Sequence, residues 1–382
     1  MPQPATRTGH PDRLALRVSP SGPLARAAAA LAPGSVPGAL VAVLRAGQPV
    51  ADVGLHGAAQ RHGAVPVALT PGARCDIGSI TKVVATTAAL MSLVAAGEIG
   101  LDVPARRYLG PLAAADATLR DLLEHQAGLR EWWPCYLDGS CGPAALAQVA
   151  AMPPRYRPRT ARHYSDLGFL LLGGVVAAVA AAPLPEAIER LALRPFGLTE
   201  TRFAAPAAGD VVLASSTGDV IERTMVRTGV PYPVERDADE FTGWRQHVLV
   251  GEVNDGNAFH AFGGAAGHAG LFSTAADLLR FAERMLDSVA DAGPIPAPIA
   301  RQFLTPGADP GQALGFRIWP DPAGPAIGHT GFPGVAFALL PRQRAGVVLV
   351  TNRLHGADPP PPTDPMWRLV RAAAHDHLED RP

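Results

Sequence analysis

Continuous apolar runs near both ends of the chain predict the buried strands of one sheet. Residues 39–44 and 50–55 are two such runs with a turn between them, and residues 335–340 and 345–350 are two more. Apolar runs of this length, bounded by turn residues, are typical of buried strands that pair as hairpins. The two ends of the chain are therefore predicted to form an antiparallel central sheet.

Helical patterns flank these strands and fill the middle of the chain. The apolar stretch 78–96 predicts a helix that Gly97 ends as a C-cap. Another predicted helix, 275–285, follows Ser273, whose hydroxyl can cap it. Residues 204–241 show no clear pattern, and we expect a long excursion there, close to the pocket. The other predicted helices are 23–31, 119–125, 143–151, 165–182, 184–193 and 366–378.

These patterns predict an α/β fold of the α+β kind with two domains. A sheet domain would comprise residues 21–100 and 255–382, and an all-helical insertion, 101–254, would cover one side of the sheet. Residues 1–20 are polar and rich in Pro and Arg, so we expect a disordered tail there. A chain of 382 residues with 48% hydrophobic residues can bury a core of this size.

Charge and composition narrow the class of partner. The formal net charge is −1 and no basic or acidic run is long, which argues against nucleic acid or a membrane surface as a partner. The N-terminal charges are not followed by the apolar run of a secretory signal, and residues 27–32 are too few to span a bilayer. We therefore expect a cytoplasmic enzyme that acts on a small molecule.

Three cysteines, Cys75, Cys135 and Cys141, lack the spacing of a metal site or a disulfide framework. Cys75 precedes Ser79 by four residues and is a candidate nucleophile, although a small buried side chain is the simpler interpretation. Neither a metal nor a cofactor is predicted.

A nucleophile and a candidate base stand together in Ser79-x-x-Lys82, at the start of the apolar helix. Residues three apart share one face of a helix, so the Ser79 hydroxyl and the Lys82 amine can meet. Lys82 is also the only lysine in the chain. A desolvated lysine can act as a base and an arginine cannot, so the residue type suits acid–base chemistry. The motif alone recurs by chance and needs partners elsewhere.

Two further motifs supply such partners. Tyr-Ser-Asp at 164–166 opens a predicted apolar helix, and His-Thr-Gly at 329–331 precedes a predicted strand. Together with the serine-lysine motif they resemble the pattern of the class C β-lactamase and D-alanyl-D-alanine peptidase-like family, which also includes esterases and acyltransferases. Similar landmarks in the expected order extend the resemblance over most of the chain, at 97–104, 122–129, 195–203 and 273–278.

The resemblance implies a β-lactamase/transpeptidase-like fold and a set of residue roles. Ser79 would attack a carbonyl and become acylated, while Lys82 and Tyr164 would share the general base and acid work. The backbone N–H groups of Ser79 and Phe332 would form the oxyanion hole, a contribution of about 3 kcal/mol per donor. His329, Thr330 and Gly331 would line the edge strand where the substrate lies, and Asp166 would be a further substrate-binding or support residue.

Two positions depart from the family pattern. Asp166 stands where Asn is common, and its negative charge would raise the pKa of Lys82 and shift base duty toward Tyr164. His329 replaces the usual lysine and would be a weaker, pH-dependent anchor for a substrate carboxylate. Both departures argue against an efficient β-lactamase and favour an ester or amide substrate without an obligatory carboxylate.

Other residues near these motifs have structural or functional interpretations. His125 is interpreted as structural, and His260 and His268 as neighbours of the pocket that do not complete a metal site. An aromatic group in the helical insertion either packs in the core or forms a wall facing the substrate. This group comprises Trp132, Trp133 and Tyr136.

Several functions fit this pattern. The leading one is a serine hydrolase that forms an acyl-enzyme with an ester or amide of a small molecule, which water then resolves. A second is a transacylase that passes the acyl group from Ser79 to an amine or alcohol acceptor in natural-product biosynthesis. A D-alanyl peptidase or weak β-lactamase is a further alternative. A module that traps an acyl group without turnover is disfavoured because Ser79, Lys82 and Tyr164 are all present.

Overall fold

The two ends of the chain pair in one central sheet, as the apolar runs predict. A computed structural model describes residues 14–32, 36–356 and 358–380. Within these ranges the strands are β1 (Ala15–Val18), β2 (Gly38–Arg45), β3 (Val50–Gln60), β4 (Val67–Ala68), β5 (Cys75–Asp76), β6 (Ala214–Thr217), β7 (Val248–Val250), β8 (Phe272–Ser273), β9 (Arg317–Trp319), β10 (Ala326–Gly331), β11 (Val335–Leu340) and β12 (Ala345–Thr351). The central sheet has the order β1-β3-β2-β12-β11-β10-β9, with β4 beside β3. Both predicted hairpins, β2-β3 and β11-β12, are confirmed.

One edge of the sheet differs from the prediction. β1 runs parallel to β3, whereas the other strand pairs of this sheet are antiparallel. The prediction of a disordered tail over 1–20 is therefore wrong at β1, while residues 1–13 lie outside the described residues. β1 is mostly exposed and has no apolar run. Its order depends on pairing with β3 and on the 2.7 Å ion pair between Arg17 Nε and Asp52 Oδ1.

Helices cover both faces of the sheet. The α-helices in the described ranges are α1 (Pro23–Leu31), α2 (Ala88–Ala95), α3 (Arg106–Leu109), α4 (Leu119–Leu123), α5 (Pro143–Ala151), α6 (Asp166–Ala180), α7 (Leu184–Ile188), α8 (Arg194–Phe196), α9 (Val220–Thr228), α10 (Ala275–Val289), α11 (Ala297–Leu304) and α12 (Thr363–Glu379). Short 3-10 or π segments lie at Gly78–Ile80, Lys82–Thr87, Cys135–Asp138, Glu189–Leu193, Ala238–Glu240, Asn257–Ala261 and Arg353–His355. α1 and α12 bury apolar side chains against one face of the sheet, and α10 packs on the other.

The predicted helices are present, with ends shifted by a few residues. The helix that carries Ser79 begins as a 3-10 turn, continues as a π segment at Lys82–Thr87 and ends as α2. The cap of α10 is Thr274 instead of Ser273, because the Thr274 side chain accepts a hydrogen bond from Asp277 N at 3.3 Å. Ser273 lies in β8 and contacts Thr201 Oγ1 at 2.7 Å.

The middle of the chain is helical with one exception. Helices α3 to α9 lie there, but β6 and β7 also pair in a short antiparallel ribbon, so the expectation of an all-helical insertion is wrong at that point. β6 has the sequence Ala-Ser-Ser-Thr, which lacks the apolar pattern of the other strands. The expected excursion at 204–241 contains α9. The division into two domains at residues 101 and 254 stays a prediction.

Within the described residues, one helical stretch has the length and hydropathy of a membrane span, and a bent pair of helices would be a second if it counted as one span. One is the continuous stretch Gly78–Ala95, of which 78% is buried inside the protein. The other would be a pair, Asp166–Ala180 with Leu184–Phe196, which is bent by 79° at its break. Burial of this kind is typical of the core helices of a folded domain.

Candidate active site

Ser79 lies in a turn that its neighbours hold tightly. Gly78 has a φ of 49°, a left-handed conformation, and a Cβ at this position would lie 2.7 Å from Pro333 Cδ. The N–H of Gly78 donates to Asp76 Oδ1 at 2.8 Å, and Asp76 Oδ2 accepts from Asn254 N at 2.6 Å. Burial raises the pKa of Asp76 to about 6 despite these two hydrogen bonds. The backbone before the candidate nucleophile is therefore fixed from two sides.

Lys82 is fully buried behind Ser79. Its Nζ lies 2.8 Å from Ser79 Oγ, 2.6 Å from Asp166 Oδ1 and 3.4 Å from the carbonyl oxygen of His268. Burial alone would lower the pKa of Lys82, but the Asp166 carboxylate and the Tyr164 phenol outweigh burial and raise this pKa. Lys82 is therefore an ammonium group in the resting site, in line with the effect expected of Asp166.

Tyr164 lines the same cavity as Ser79 and interacts with both Ser79 and Lys82. The centre of its ring is 4.9 Å from Lys82 Nζ. Burial raises the pKa of Tyr164, and the nearby Lys82 ammonium opposes that rise because it favours the phenolate. The phenol oxygen is thus positioned to exchange a proton with Ser79 while Lys82 stabilises the negative charge.

His125 orients the second motif. Its ring lies 4.5 Å from the Tyr164 ring, and its Nδ1 accepts a hydrogen bond from Ser165 N at 3.0 Å. The Ser165 hydroxyl caps α6 through Gly168 N at 3.1 Å and donates to Arg130 O at 2.6 Å. Burial lowers the pKa of His125 well below its usual range, so the ring is neutral. These contacts support the structural interpretation of His125.

The end of β10 packs directly against the turn that carries Ser79. A Cβ on Gly331 would lie 2.2 Å from the carbonyl oxygen of Ile77, so only glycine allows this approach. The backbone nitrogen of Phe332 lies 3.2 Å from the position of a Cβ on Gly78. No described residue accepts a hydrogen bond from this N–H. Phe332 N is thus a free donor close to Ser79, where the resemblance places an oxyanion hole.

The charge of the His329 ring differs from the expectation. Its Nδ1 lies 2.7 Å from the carbonyl oxygen of Thr330, and burial together with the nearby Lys82 charge lowers its pKa to about 3. The ring is therefore neutral near pH 7. The expectation that His329 is a weaker, pH-dependent anchor for a carboxylate is wrong, because burial and the Lys82 charge keep the ring neutral.

An arginine-lined cavity of about 390 Å³ opens at Ser79. Arg162, Arg317 and Arg353 line it together with residues of the second and third motifs. Arg162 Nε pairs with Asp309 Oδ2 at 2.7 Å, and Arg317 Nη1 lies 3.4 Å from Thr330 Oγ1. Sequence reasoning missed all three arginines, because they come from separate parts of a chain in which nearly every basic residue is arginine.

Arg353 is the arginine with the least charge compensation. Its Nε donates to the carbonyl oxygen of Phe332 at 3.0 Å and its Nη1 donates to that of Pro361 at 2.8 Å. Among the described residues no carboxylate forms an ion pair with it. Burial lowers the pKa of Arg353 to about 10, which leaves the guanidinium charged near pH 7.

A second cavity, of about 580 Å³, meets Ser79 from another side. Its wall is largely apolar and includes Trp132, α9 and Phe332, with the carboxylates of Glu222 and Asp255 inside it. Trp132 is thus part of a wall facing the candidate nucleophile, one of the two interpretations of the aromatic group. Tyr136 is buried beside it and donates from Oη to Glu222 Oε2 at 2.7 Å. Burial and the charge of Asp255 raise the pKa of Glu222 to about 8.

Three ligand-type side chains, Asp166, Asp255 and His268, place atoms within 4.8 Å of one another. His268 Nε2 lies 2.9 Å from Asp255 Oδ1, and the Lys82 ammonium pairs with Asp166. A metal ion there would be repelled by Lys82, which already supplies positive charge at this place. We therefore interpret this group as part of the hydrogen-bonding environment of Lys82. His260 lies apart from it and pairs with Asp219 at 2.9 Å.

The cysteines take no part in this arrangement. Cys75 and Cys135 are buried and Cys141 is exposed, and all three are free thiols. Burial raises the pKa of the Cys75 thiol, which makes it a poor nucleophile. The simpler interpretation of Cys75, a small buried side chain, is confirmed.

The structure has a sheet covered by helices on both faces, and Ser79, Lys82 and Tyr164 lie together beside it. This fold and this group of residues are those of a serine hydrolase. The chain belongs to the β-lactamase family, whose model, Beta-lactamase, matches residues 24–372. This confirms the family resemblance and the β-lactamase/transpeptidase-like fold.

Named relatives cover most of the chain. A putative D-alanyl-D-alanine carboxypeptidase of Escherichia coli strain K12 is 29% identical over 77% of this chain and 73% of its own length. An N-acetylmuramyl-L-alanine amidase of Bacillus subtilis strain 168 is also 29% identical, over 73% of this chain and 68% of its own. The structure of a class C β-lactamase from Rhodobacter sphaeroides superposes with a TM-score of 0.66 at 19% identity, covering 94% of this chain and all of the other. The last likeness concerns the fold alone.

Proposed function

We propose that the protein hydrolyses an amide whose amine side carries an anionic group, through an acyl-enzyme on Ser79. The observation that carries this proposal is the arginine-lined cavity at Ser79, in which Arg353 is a largely buried cation. A buried charge is costly unless it is paired, so a substrate carboxylate would complete this cavity. The names of the two relatives, a carboxypeptidase and an amidase, support amide chemistry.

The proposed reaction begins when the Tyr164 oxygen, as its anion beside the Lys82 ammonium, takes the proton of Ser79. Ser79 Oγ then bonds to the amide carbon, and the N–H groups of Ser79 and Phe332 stabilise the oxyanion. The C–N bond breaks as the leaving nitrogen takes the proton from Tyr164, and the acyl group remains as an ester on Ser79.

Water completes the cycle by the same proton path. It gives a proton to Tyr164 while its oxygen bonds to the acyl carbon, and the bond from that carbon to Ser79 then breaks. Ser79 recovers the proton as the acid is released. In this scheme Lys82 keeps its charge throughout and acts as an electrostatic partner of Tyr164.

The two cavities suggest how the substrate is divided between them. The acyl group would occupy the larger apolar cavity, and the amine with its carboxylate would occupy the arginine-lined one. The expectation of a substrate without an obligatory carboxylate rests on Asp166 and His329 and takes no account of the arginines. Arginine binds carboxylates through paired hydrogen bonds, so the three arginines support the opposite preference.

A pair of amides that share an acyl group and differ by one carboxylate on the amine side tests this proposal. We expect wild type to favour the carboxylate-bearing amide, and Arg353→Gln to reduce that preference in kcat/KM by about tenfold or more. Arg353→Lys keeps the charge and should retain part of the preference. Arg284→Gln, on α10 and paired with Asp287 at 3.2 Å, is the matched control.

Ser79→Ala tests whether the reaction passes through a covalent acyl-enzyme on Ser79. Intact-protein mass spectrometry should show an acyl adduct on wild type and none on Ser79→Ala. An adduct of equal amount on Ser79→Ala would contradict the proposal. So would an Arg353→Gln variant in which kcat/KM falls by the same factor for both amides.

A transacylase is the second candidate. The observation that favours it is the volume of the arginine-lined cavity, about 390 Å³, which would leave room for an amine or alcohol acceptor after the amine product has left. Adding a primary amine to the acylated protein separates the two functions. Formation of a new amide faster than the free acid would support acyl transfer, and free acid alone would support hydrolysis. A penicillin in the same assay tests weak β-lactamase activity.

A further inference from the structure

The two cavities that meet at Ser79 have linings of opposite charge. Among the described residues, the charged side chains that line the smaller cavity are Arg162, Arg317 and Arg353. The larger cavity has no basic side chain in the described part of its lining, and its ionisable groups other than tyrosine are all acidic, namely Asp166, Glu222, Asp255 and Asp358. A substrate bound across Ser79 therefore meets a positive surface on one side and an acidic surface on the other.

Asp255 offers an accessible oxygen to the larger cavity. Its Oδ1 lies 2.9 Å from His268 Nε2 and accepts a hydrogen bond from Ala258 N at 2.8 Å. Its Oδ2 has no hydrogen-bond partner among the described residues and is not enclosed by the protein. The side chain as a whole is 21% exposed and lines the cavity, so a ligand there can reach this oxygen.

Glu222 lies beside Asp255 and has no cation of its own. Its Oε1 accepts from the N–H of Gly256, the residue after Asp255, and its Oε2 accepts from Tyr136 Oη, both at 2.7 Å. Both donors are neutral, and no basic residue in the described ranges forms an ion pair with Glu222. Burial and the charge of Asp255 raise the pKa of Glu222 to about 8, so a proton occupies this place near pH 7. A cationic ligand would take the place of that proton.

The rest of the larger cavity fits an apolar group close to the reacting carbonyl. The apolar and aromatic residues of its wall include Trp132, Val220, Ile221, Met225 and Tyr232. Asp255 belongs to the inner part of the site, because it and Asp166 place ligand atoms within 4.8 Å of each other and Asp166 contacts Lys82. A cation beside Asp255 would therefore lie on the first atoms of the acyl group. An amino acid carries its α-ammonium group at that position.

We propose that the acyl group is an aminoacyl group whose α-ammonium is bound by Asp255 and Glu222, so that the substrate is a dipeptide-like amide with opposite charges at its two ends. This inference rests on the proposed amidase function and deepens it by naming the acyl half of the substrate. The ammonium would lie between these two side chains, because Lys82 already supplies positive charge beside Asp166. An ammonium group donates three hydrogen bonds, so it can bind the free oxygen of Asp255 and a carboxylate oxygen of Glu222 together.

Amides of 4-aminobenzoate test this inference, because all of them present the same carboxylate to the arginines. One carries a leucyl group, supplied as each enantiomer, and the other carries 4-methylpentanoyl, which has the same carbon skeleton without the amino group. At pH 7 we expect kcat/KM for release of 4-aminobenzoate to be about tenfold to a hundredfold higher for at least one leucyl amide. Glu222→Gln cannot become an anion and should reduce this ratio by about tenfold.

Asp239→Asn is the matched control. Asp239 lies 3.3 Å from Arg223 and 3.0 Å from Arg227, both on α9, the helix that carries Glu222. It does not line the larger cavity. Loss of its carboxylate should therefore leave the ratio of the two kcat/KM values as in wild type.

The outcomes distinguish this inference from the function on which it rests. If wild type cleaves the 4-methylpentanoyl amide as well as it cleaves the leucyl amides, the inference is wrong and the amidase proposal stands. The same holds if Glu222→Gln lowers kcat/KM for both kinds of amide by one factor, as a purely structural role would, or leaves the ratio unchanged. If wild type cleaves none of these amides, both fail. A preference for a leucyl amide that Glu222→Gln reduces and Asp239→Asn preserves supports the inference.

Discussion

At Asp166 a single carboxylate sets the protonation of two neighbours. It lies 2.6 Å from Lys82 Nζ, and its charge raises the pKa of both Lys82 and Tyr164. Lys82 stays charged, so in the proposed reaction the proton of Ser79 goes to the Tyr164 oxygen. The base form of the site therefore appears only as the pH rises toward the raised pKa of Tyr164.

Asp166→Asn tests this coupling. Removing the carboxylate lowers the pKa of both Lys82 and Tyr164, so the base form persists to lower pH. The rising limb of the profile of kcat/KM against pH should move toward lower pH. Asp287→Asn, whose carboxylate pairs with Arg284 on α10, is the control and should leave the limb in place. If the rising limb also stays in place in Asp166→Asn, the proposed coupling between Asp166 and its two neighbours is wrong.

At the scale of residues, sequence predicts the features that depend on local spacing. The meeting of Ser79 with Lys82 depends on one helical turn, and the second and third motifs are continuous in sequence. The neutral state of His329 depends on burial and on the distant Lys82, neither of which the motif contains. The arginine-lined cavity likewise depends on residues that only the fold brings together.

At the scale of elements, the contact between β10 and the turn of Ser79 brings together the two backbone N–H groups of the proposed oxyanion hole. Gly331 ends β10 and touches Ile77, two residues before Ser79, so the strand and the helix approach without a side chain between them. Phe332 N directly follows this contact and lies 3.2 Å from the position of a Cβ on Gly78, next to Ser79. Arg353 holds the Phe332 carbonyl from the opposite side at 3.0 Å.

Gly331→Ala should separate these two elements. The added methyl group would lie 2.2 Å from the Ile77 carbonyl oxygen, so β10 must move and carry the Phe332 N–H with it. Loss of one oxyanion donor lowers kcat by about a hundredfold to a thousandfold, and this is the loss we expect. Gly72→Ala is the control, since nothing lies within 4 Å of its added methyl group. Wild-type kcat with an activated ester in Gly331→Ala would contradict this role of the contact.

Apolar patterns predict elements well where burial causes the element. Such runs predict the strands β2, β3, β11 and β12, and the structure confirms all four. β1 and β6 lack the pattern, because pairing with a neighbouring strand supplies their order. The cap of α10 is Thr274 and not the predicted Ser273, a choice between adjacent hydroxyls that sequence cannot make.

At the scale of the whole molecule, the two faces of the sheet pack against different cores, and only one of these cores includes the helix that carries Ser79. The face covered by α10 shares its core with the helix that carries Ser79. The opposite face is covered by α1 and α12 and closes a separate apolar core. The residues around Ser79 come from both chain ends and from the middle of the chain, so activity requires the complete fold.

Substitution of two leucines in the layer of α1 and α12 tests whether this layer contributes to the stability of the fold without affecting kcat. Leu24 on α1 is 2% exposed and Leu369 on α12 is 40% exposed. Leu24→Ala leaves a cavity and should lower the free energy of unfolding by about 2–5 kcal/mol, whereas Leu369→Ala should change it by less than about 0.5 kcal/mol. Urea unfolding followed by fluorescence and by residual activity measures both effects. Because the cavity lies across the sheet from Ser79, kcat of folded Leu24→Ala should match wild type. A lowered kcat without denaturant would show that the α1 layer also positions the site.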